Sequence, residues 1–539
     1  AVLEDFNLHD TGLVVPFFIA GEYAPIRIFT KKQGAVTYYF LYNRQYSIGP
    51  YVGDALRLTI FLSEGTLLAI EKLVSRGFMI NPQVIHANDW QTALIPVYLK
   101  TKYHEHPLFR YTASVFTIHN QKYRGEWIRG DRYPELGIGG EHWMGMVQRD
   151  DRDHFCLLRG GISHMDKGNA VSRTNRDELL MDEHGESLAA DFRERADDME
   201  GIINGVDYDV WTPVSLEEKP LVKAQLQASL GFEVDPSIPL IGMVARIAKQ
   251  KNSRRLVNVI RRLIDESGGR IQFVYLGKGN ENDPYNQRTR RFMDLVAKDH
   301  RYARNVRFLH RYTTEEQKRV FGGIDIFTYP SLYEPCGTKP MVALINGTPC
   351  VVRNTGGLAD NVQEYRRATQ TGNGFVFAKD SYRDMRNAFW RALDIFHDQD
   401  HWQRITYNAQ NYDRSWTLPG MEYMRLYRQA ILRRLSYTDQ VEPFAPVSGA
   451  PLRYRDLAGT FNEAQDVMLD LSRAGANRFQ PRGAASADLS ALLNKSLATL
   501  ESFVATSNDS ALQQYLNELL TRIDNRAPPI RIRVSSGLF

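Results

Sequence analysis

From about residue 13 to 435, short apolar runs alternate with longer amphipathic stretches, and this alternation limits the possible folds more than any other feature. The runs fall at 12–18, 84–87, 114–119, 170–173, 240–246, 271–277, 306–310, 324–329 and 349–353. They are rich in Val, Ile and Phe and bounded by polar residues, Gly or Pro. Strands covered on both faces of a parallel sheet read this way, because a strand without a solvent side has no polar alternation. Helical patterns separate them, as at 253–267, where Leu256, Val259, Ile260 and Leu263 share one face. Strand and helix in alternation predict an α/β fold with parallel sheets.

At 539 residues the chain is too long for one core, since single cores stop growing near ~250–300 residues. A break at Trp211-Thr-Pro213, ahead of a helical stretch at 219–229, predicts two α/β halves, 1–213 and 214–415. Open α/β sheets bind ligands at the carboxyl ends of their strands, so the residues leaving those ends are the ones to watch. Beyond a linker marked by Pro443, Pro446, Gly449 and Pro451, residues 441–539 read as a helical extension. Thr460-x-x-Glu463 is a capping-box pattern there, and Leu489, Leu492, Leu493, Leu497, Leu500 and Val504 follow a 3.6-residue period. The extension suggests packing or a homo-oligomer through these helices, with little sign of chemistry.

Charged residues make up 24 % and hydrophobic residues 43 %, which excludes disorder for the bulk of the chain. A net charge of +4 leaves no basic stripe for nucleic acid, so any phosphate binding must be local. Three cysteines, Cys156, Cys336 and Cys350, without a C-x-x-C spacing point to a reducing compartment and away from zinc. The apolar run at 13–20 contains Pro16 and is far too short to span a membrane. The opening Ala-Val-Leu-Glu-Asp lacks the basic-then-apolar order of a secretory signal. A cytoplasmic protein is expected, and a start without Met predicts that the natural N-terminus lies upstream.

The densest segment is Tyr329-Pro-Ser-Leu-Tyr-Glu-Pro-Cys-Gly-Thr-Lys-Pro340, followed by Thr355-Gly356-Gly357. A strand end near Tyr329 delivers Glu334 into a Pro- and Gly-bounded turn, with a helix expected from near Lys339. Free N–H groups at a helix start and at a Gly pair suit phosphate oxygens, although both stretches also read as plain surface turns. Upstream, Arg246-Ile-Ala-Lys-Gln-Lys251 follows directly on a buried strand. Two cations leaving one strand could both point at one anion, as a diphosphate leaving group requires. Gly277-Lys-Gly279 is a weak Gly-loop signal. In the first half, His86-Ala-Asn-Asp-Trp90 and Thr117-Ile-His119-Asn120 close two apolar runs. His119 could orient a sugar hydroxyl or be an ordinary turn histidine; His86, Asp89 and His119 do not have a recognised zinc spacing.

These motifs, with Asn204-Gly-Val-Asp207 and Thr355-Gly-Gly-Leu-Ala-Asp360, stand in the order and rough spacing of bacterial and plant glycogen/starch synthases, glycosyltransferase family 5. The resemblance covers roughly residues 10–435. It implies a GT-B fold, two Rossmann-like domains facing across a cleft, with a nucleotide sugar held mainly by the second. It implies transfer of glucose from a nucleotide sugar, ADP-glucose first, to the non-reducing end of an α-1,4-glucan, with retention of configuration and no metal. Carried over by position, Arg246 and Lys251 would neutralise the diphosphate and Glu334 would hold the donor sugar, with Cys336 and Gly337 lining that turn. His119 and Asp89 would bind the glucose from the first domain. Asn204 would line the sugar pocket and Tyr312 would stack on the base. Thr355, Gly356 and Gly357 complete the donor-binding set. Residues 416–440 match a closing helix that returns to the first domain.

The family's Lys-x-Gly-Gly-Leu loop has no counterpart before residue 13, and 12–18 resembles the family's second strand. The chain either was trimmed upstream or lacks that loop and the domain's first strand. After Gly337 the family usually reads Leu-x-Gln-Leu, where Thr338-Lys-Pro-Met341 stands here. These departures keep two alternatives in view: a catalytically impaired relative serving as a binding or scaffold module, and a transferase with a different nucleotide sugar or a protein acceptor. In a plant or alga the plastid stroma would replace the cytoplasm.

Overall fold

A computed structural model describes residues 7–47, 53–126 and 128–438. The expected helices at 441–539 lie outside the described residues. The chain forms two compact units. Unit 1 holds the described residues up to Ala170, then Glu178–Glu200 and the residues from Gly420; unit 2 holds Val171–Asp177 and Gly201–Pro419. The division falls at Gly201 where the sequence pattern suggested 214. The reason is local: Val206 N–H donates to the Arg414 carbonyl (2.7 Å), and a Cβ on Gly205 would stand 2.7 Å from the Ser415 carbonyl oxygen.

Unit 1 opens with an antiparallel sheet of β1 (His9–Val15), β2 (Ile26–Gln33) and β3 (Val36–Tyr42), in the order β1-β2-β3. The first apolar run is therefore not a strand of the parallel sheet, which corrects the sequence reading. Its partner β2 follows closely in the chain and returns on it antiparallel, and Pro16, lacking an N–H, ends β1. Gly34, at φ +60°, supplies the left-handed residue of the two-residue turn between β2 and β3. Helix α1 (Ala55–Ser75) starts at Asp54, whose carboxylate accepts from the Leu56 and Arg57 N–H groups, and buries Leu56, Ile60, Leu67 and Ile70 in the core. A second sheet follows, with β4 (Val84–Asn88), β5 (Ala113–Ile118), β6 (Lys167–Ala170) and β7 (Met199–Gly201) in the order β7-β6-β5-β4, and β5 pairs parallel with both β4 and β6. The run at 170–173 straddles the end of β6 and the start of a helix at Arg173, so the strand lies earlier than expected.

Unit 2 is a six-stranded sheet: β8 (Leu240–Val244), β9 (Gln272–Leu276), β10 (Val306–Leu309), β11 (Ile326–Tyr329), β12 (Cys350–Arg353) and β13 (Gly374–Phe377). The order is β10-β9-β8-β11-β12-β13, every pairing is parallel, and the inner strands are buried along their length. This is the doubly wound arrangement, and its order reverses between β8 and β11. Helix α2 (Lys219–Ser229) lies where the sequence placed it; α3 (Ser253–Glu266) packs Leu256, Val259, Ile260 and Leu263 into the core as the pattern required. Later helices are α4 (Thr314–Gly323), α5 (Thr338–Ile345), α6 (Gly356–Asn361) and α7 (Thr417–Thr438). Among the described residues no helix is long and apolar enough to cross a membrane.

Candidate functional site

Ligands of a doubly wound sheet bind where the strand order reverses, so the loops leaving β8 and β11 define the candidate site of unit 2. Arg246 follows β8 and is exposed, and its guanidinium makes no ion pair among the described residues. The chain then makes a single 3-10 turn, Lys249–Lys251, and passes through Asn252 at φ +56° into α3. Lys251 is buried within that turn, and its ammonium pairs with the Glu334 carboxylate. The two side chains are 7 % and 12 % exposed, and the ammonium also stands 4.5 Å from the ring centre of Tyr329, the last residue of β11. The two cations therefore differ: Arg246 is free for an anion, whereas Lys251 is held by Glu334.

Backbone bonds fix the Glu334 turn. Leu332 N–H donates to the Gln250 carbonyl (2.8 Å), and the Gln250 side-chain amide donates to the Tyr333 carbonyl (3.1 Å). Ser172 Oγ donates to the Pro335 carbonyl (2.6 Å), and Asn361 Nδ2 to the carbonyls of Cys336 (3.0 Å) and Gly357 (2.8 Å). The Thr355-Gly356-Gly357 stretch serves the same end. Gly357 N–H donates to the Glu334 carbonyl (2.9 Å), and a Cβ on Gly357 would lie 1.9 Å from the Cys336 carbonyl oxygen. This glycine is required by the approach of two protein segments, and its N–H is already used. Gly337 takes φ +80° to start α5, one residue before the expected helix start. The Cys336 thiol accepts from Asn204 and Thr338, and burial pushes it up to about 11. Gly277 is likewise structural, with the Ala245 carbonyl oxygen 1.8 Å from where its Cβ would be.

Tyr312 lies just past β10 and is 39 % exposed; burial raises its phenol while the charges of Lys251 and Arg246 oppose the rise. Unit 2 thus gathers Arg246, Lys251, Glu334, Tyr312, Asn204, Cys336, Gly337 and the Thr355–Gly357 stretch around the carboxyl ends of β8, β10, β11 and β12.

In unit 1, Asp89 and His119 meet at the ends of β4 and β5. Asp89 adopts φ +56°, a backbone conformation that is unfavourable by ~1–3 kcal/mol for a residue with a side chain. It places one carboxylate oxygen against the His119 N–H (2.8 Å) and the Asn120 N–H (3.4 Å). Burial pushes its carboxyl group up, against the opposing charge of His119. The His119 ring bonds through Nε2 to Asn88 Oδ1 (2.9 Å). His86 takes a different part: Nδ1 bonds to the Tyr427 hydroxyl of α7 (2.9 Å) and Nε2 to Thr117 Oγ1 (2.5 Å). No group of three His, Cys, Asp or Glu side chains among the described residues is placed to hold a metal. Sequence reasoning missed Asn88 and Gln250 as partners, although both lie inside the motifs it quoted. It also passed over Lys339, a charge in the first turn of an otherwise apolar helix.

Known proteins resemble this chain along most of its length. Residues 5–194 match the starch synthase catalytic domain model, and residues 231–412 match the model of glycosyl transferases group 1. A glycogen synthase of Thermotoga petrophila is 36 % identical over 409 residues, spanning 74 % of this chain and 80 % of that protein. A glycogen synthase of Bacillus anthracis is 32 % identical over 413 residues, 74 % of this chain and 83 % of its own length. The catalytic domain of starch synthase IV from Arabidopsis thaliana, solved bound to ADP and acarbose, superposes with a TM-score of 0.69 at 26 % identity. That match covers 79 % of this chain and 88 % of the solved chain, and gives the fold as the GT-B type.

Proposed function

We infer the reaction from the premise that this chain belongs to the glycogen and starch synthase family of glycosyltransferases. It moves a glucosyl unit from ADP-glucose to the non-reducing end of an α-1,4-glucan, with retention of configuration. The observation that carries this reading is the Lys251–Glu334 pair beside an unpaired Arg246 at the reversal point of the unit 2 sheet. Donor binding gives each member of the pair a better partner: Lys251 joins Arg246 on the diphosphate, and Glu334 accepts from sugar hydroxyls. Tyr312 stacks on the base, and Asn204, Cys336 and Gly337 line the turn that holds the sugar.

In the chemical step the bond from the anomeric carbon to the diphosphate oxygen breaks and a bond to the acceptor 4-oxygen forms. The acceptor proton passes to the leaving phosphate on the same face of the sugar. Negative charge grows on the leaving group, so fixed cations placed there stabilise the transition state more than the ground state. With this role filled by Arg246 and Lys251, the reading needs no metal.

The test is the full chain incubated with ADP-glucose and a malto-oligosaccharide. ADP release with lengthened α-linked products, unchanged by EDTA, is the expected result. Absence of turnover with ADP-, UDP- and GDP-glucose alike would favour a binding module over a transferase.

A further inference from the structure

Helix α5 is apolar except for its first turn, which contains Lys339. The Lys339 ammonium lies 4.6 Å from the ring centre of Trp211, 5.7 Å from that of Tyr312 and 5.9 Å from that of Phe321. Its hydrogen bond goes to the neutral side chain of Gln317 on α4, at 2.5 Å. It forms no ion pair among the described residues. The groups facing it are therefore three rings and an amide; beyond Tyr312 stand Arg246 and the Lys251–Glu334 pair. An apolar residue of similar length would fill such a cage without desolvating a charge, so the fold alone gives no reason for a lysine there.

We propose that Lys339 is a donor-binding residue: the caged ammonium contacts the anionic phosphate–ribose portion of the nucleotide whose base stacks on Tyr312. The proposal rests on the reading of Tyr312 and Arg246 above. Lys251 is neutralised by Glu334, whereas Arg246 and Lys339, both near Tyr312, form no ion pair among the described residues. Burial holds the Lys339 ammonium down to about 8. A phosphate brought beside it raises that value, so nucleotide binding near pH 8 draws a proton from solution.

The experiment is calorimetric titration of the full chain and of Lys339→Met and Lys339→Gln with ADP, and separately with adenosine. Each titration is run at pH 8 in two buffers of different ionisation enthalpy. Wild type should take up protons on binding ADP. Both variants should bind ADP about tenfold or more weakly and lose that uptake, while binding adenosine as wild type does. Equal losses for ADP and adenosine would overturn the proposal, because they would mean that Lys339 only props Tyr312. Unchanged ADP binding and proton uptake would also overturn it and leave the transferase reading standing. Failure of wild type itself to bind ADP would remove that reading and the proposal together.

Discussion

Replacing Glu334 by Gln tests the proposed exchange of partners directly. Lys251 and Glu334 are nearly enclosed, and removing one member of a buried ion pair leaves the other charge uncompensated, at ~3–5 kcal/mol. The Tyr329 ring lies under the ammonium in wild type and variant alike, so it does not offset this loss. At ~2–4 °C per kcal/mol for a unit of ~150–250 residues, a loss of ~3–5 kcal/mol lowers the unit 2 transition by roughly 6–20 °C in scanning calorimetry. Affinity should move the other way. Wild type must give up a charge-assisted bond of ~1.5–3 kcal/mol before Lys251 can meet phosphate. The variant gives up only a weaker bond to a neutral amide oxygen, so it should bind ADP more tightly, by up to about tenfold, since 1.4 kcal/mol is a factor of ten. Turnover should fall by orders of magnitude, because the sugar has lost its acceptor. The reasoning is refuted if E334Q melts with wild type, or if its ADP affinity is unchanged or weaker.

Gly357→Ala places a methyl group on the Cys336 carbonyl and strains the Gly357-to-Glu334 bond; ~2–4 kcal/mol of stability should be lost along with most transferase activity. Wild-type melting and activity in G357A would show that the turn can shift freely. Lys339 gives stability a pH dependence of definite sign. The folded chain releases its proton at about 8, while the unfolded chain keeps it to ~10.4, so the unfolded state binds more protons in that window and this residue's contribution to stability rises with pH. K339M should therefore be more stable than wild type at pH 7, by up to ~3 kcal/mol, with the gap narrowing towards pH 9.5 in urea unfolding; parallel curves would show that burial does not weaken the Lys339 ammonium's hold on its proton.

Much of unit 2 was legible in the sequence because its inner strands are buried on both faces, which leaves continuous apolar runs. The same logic failed at 12–18, where a run of similar composition joins an antiparallel hairpin; local composition does not carry strand direction. Arg246, Lys251 and Glu334 were found because a motif names them, and their convergence follows from the reversal of strand order. Their different states could not be read, since pairing of Lys251 with Glu334 depends on a fold contact across 83 residues of sequence. The protein contacts of Gly357 were hidden for a related reason: a glycine needed for close approach looks the same whether a phosphate or the Cys336 carbonyl comes near.

The two bonds between Gln250 and the 332–333 backbone have a consequence for attempts to change donor preference. They make the β8 and β11 exits a single mechanical part, so a transplant of one exit alone that loses Gln250 would leave the half-buried Tyr333 carbonyl without its side-chain donor. Both exits have to travel together, with Gln250 as the bolt, and libraries that hold this residue constant while varying its surroundings should keep the largest share of folded members.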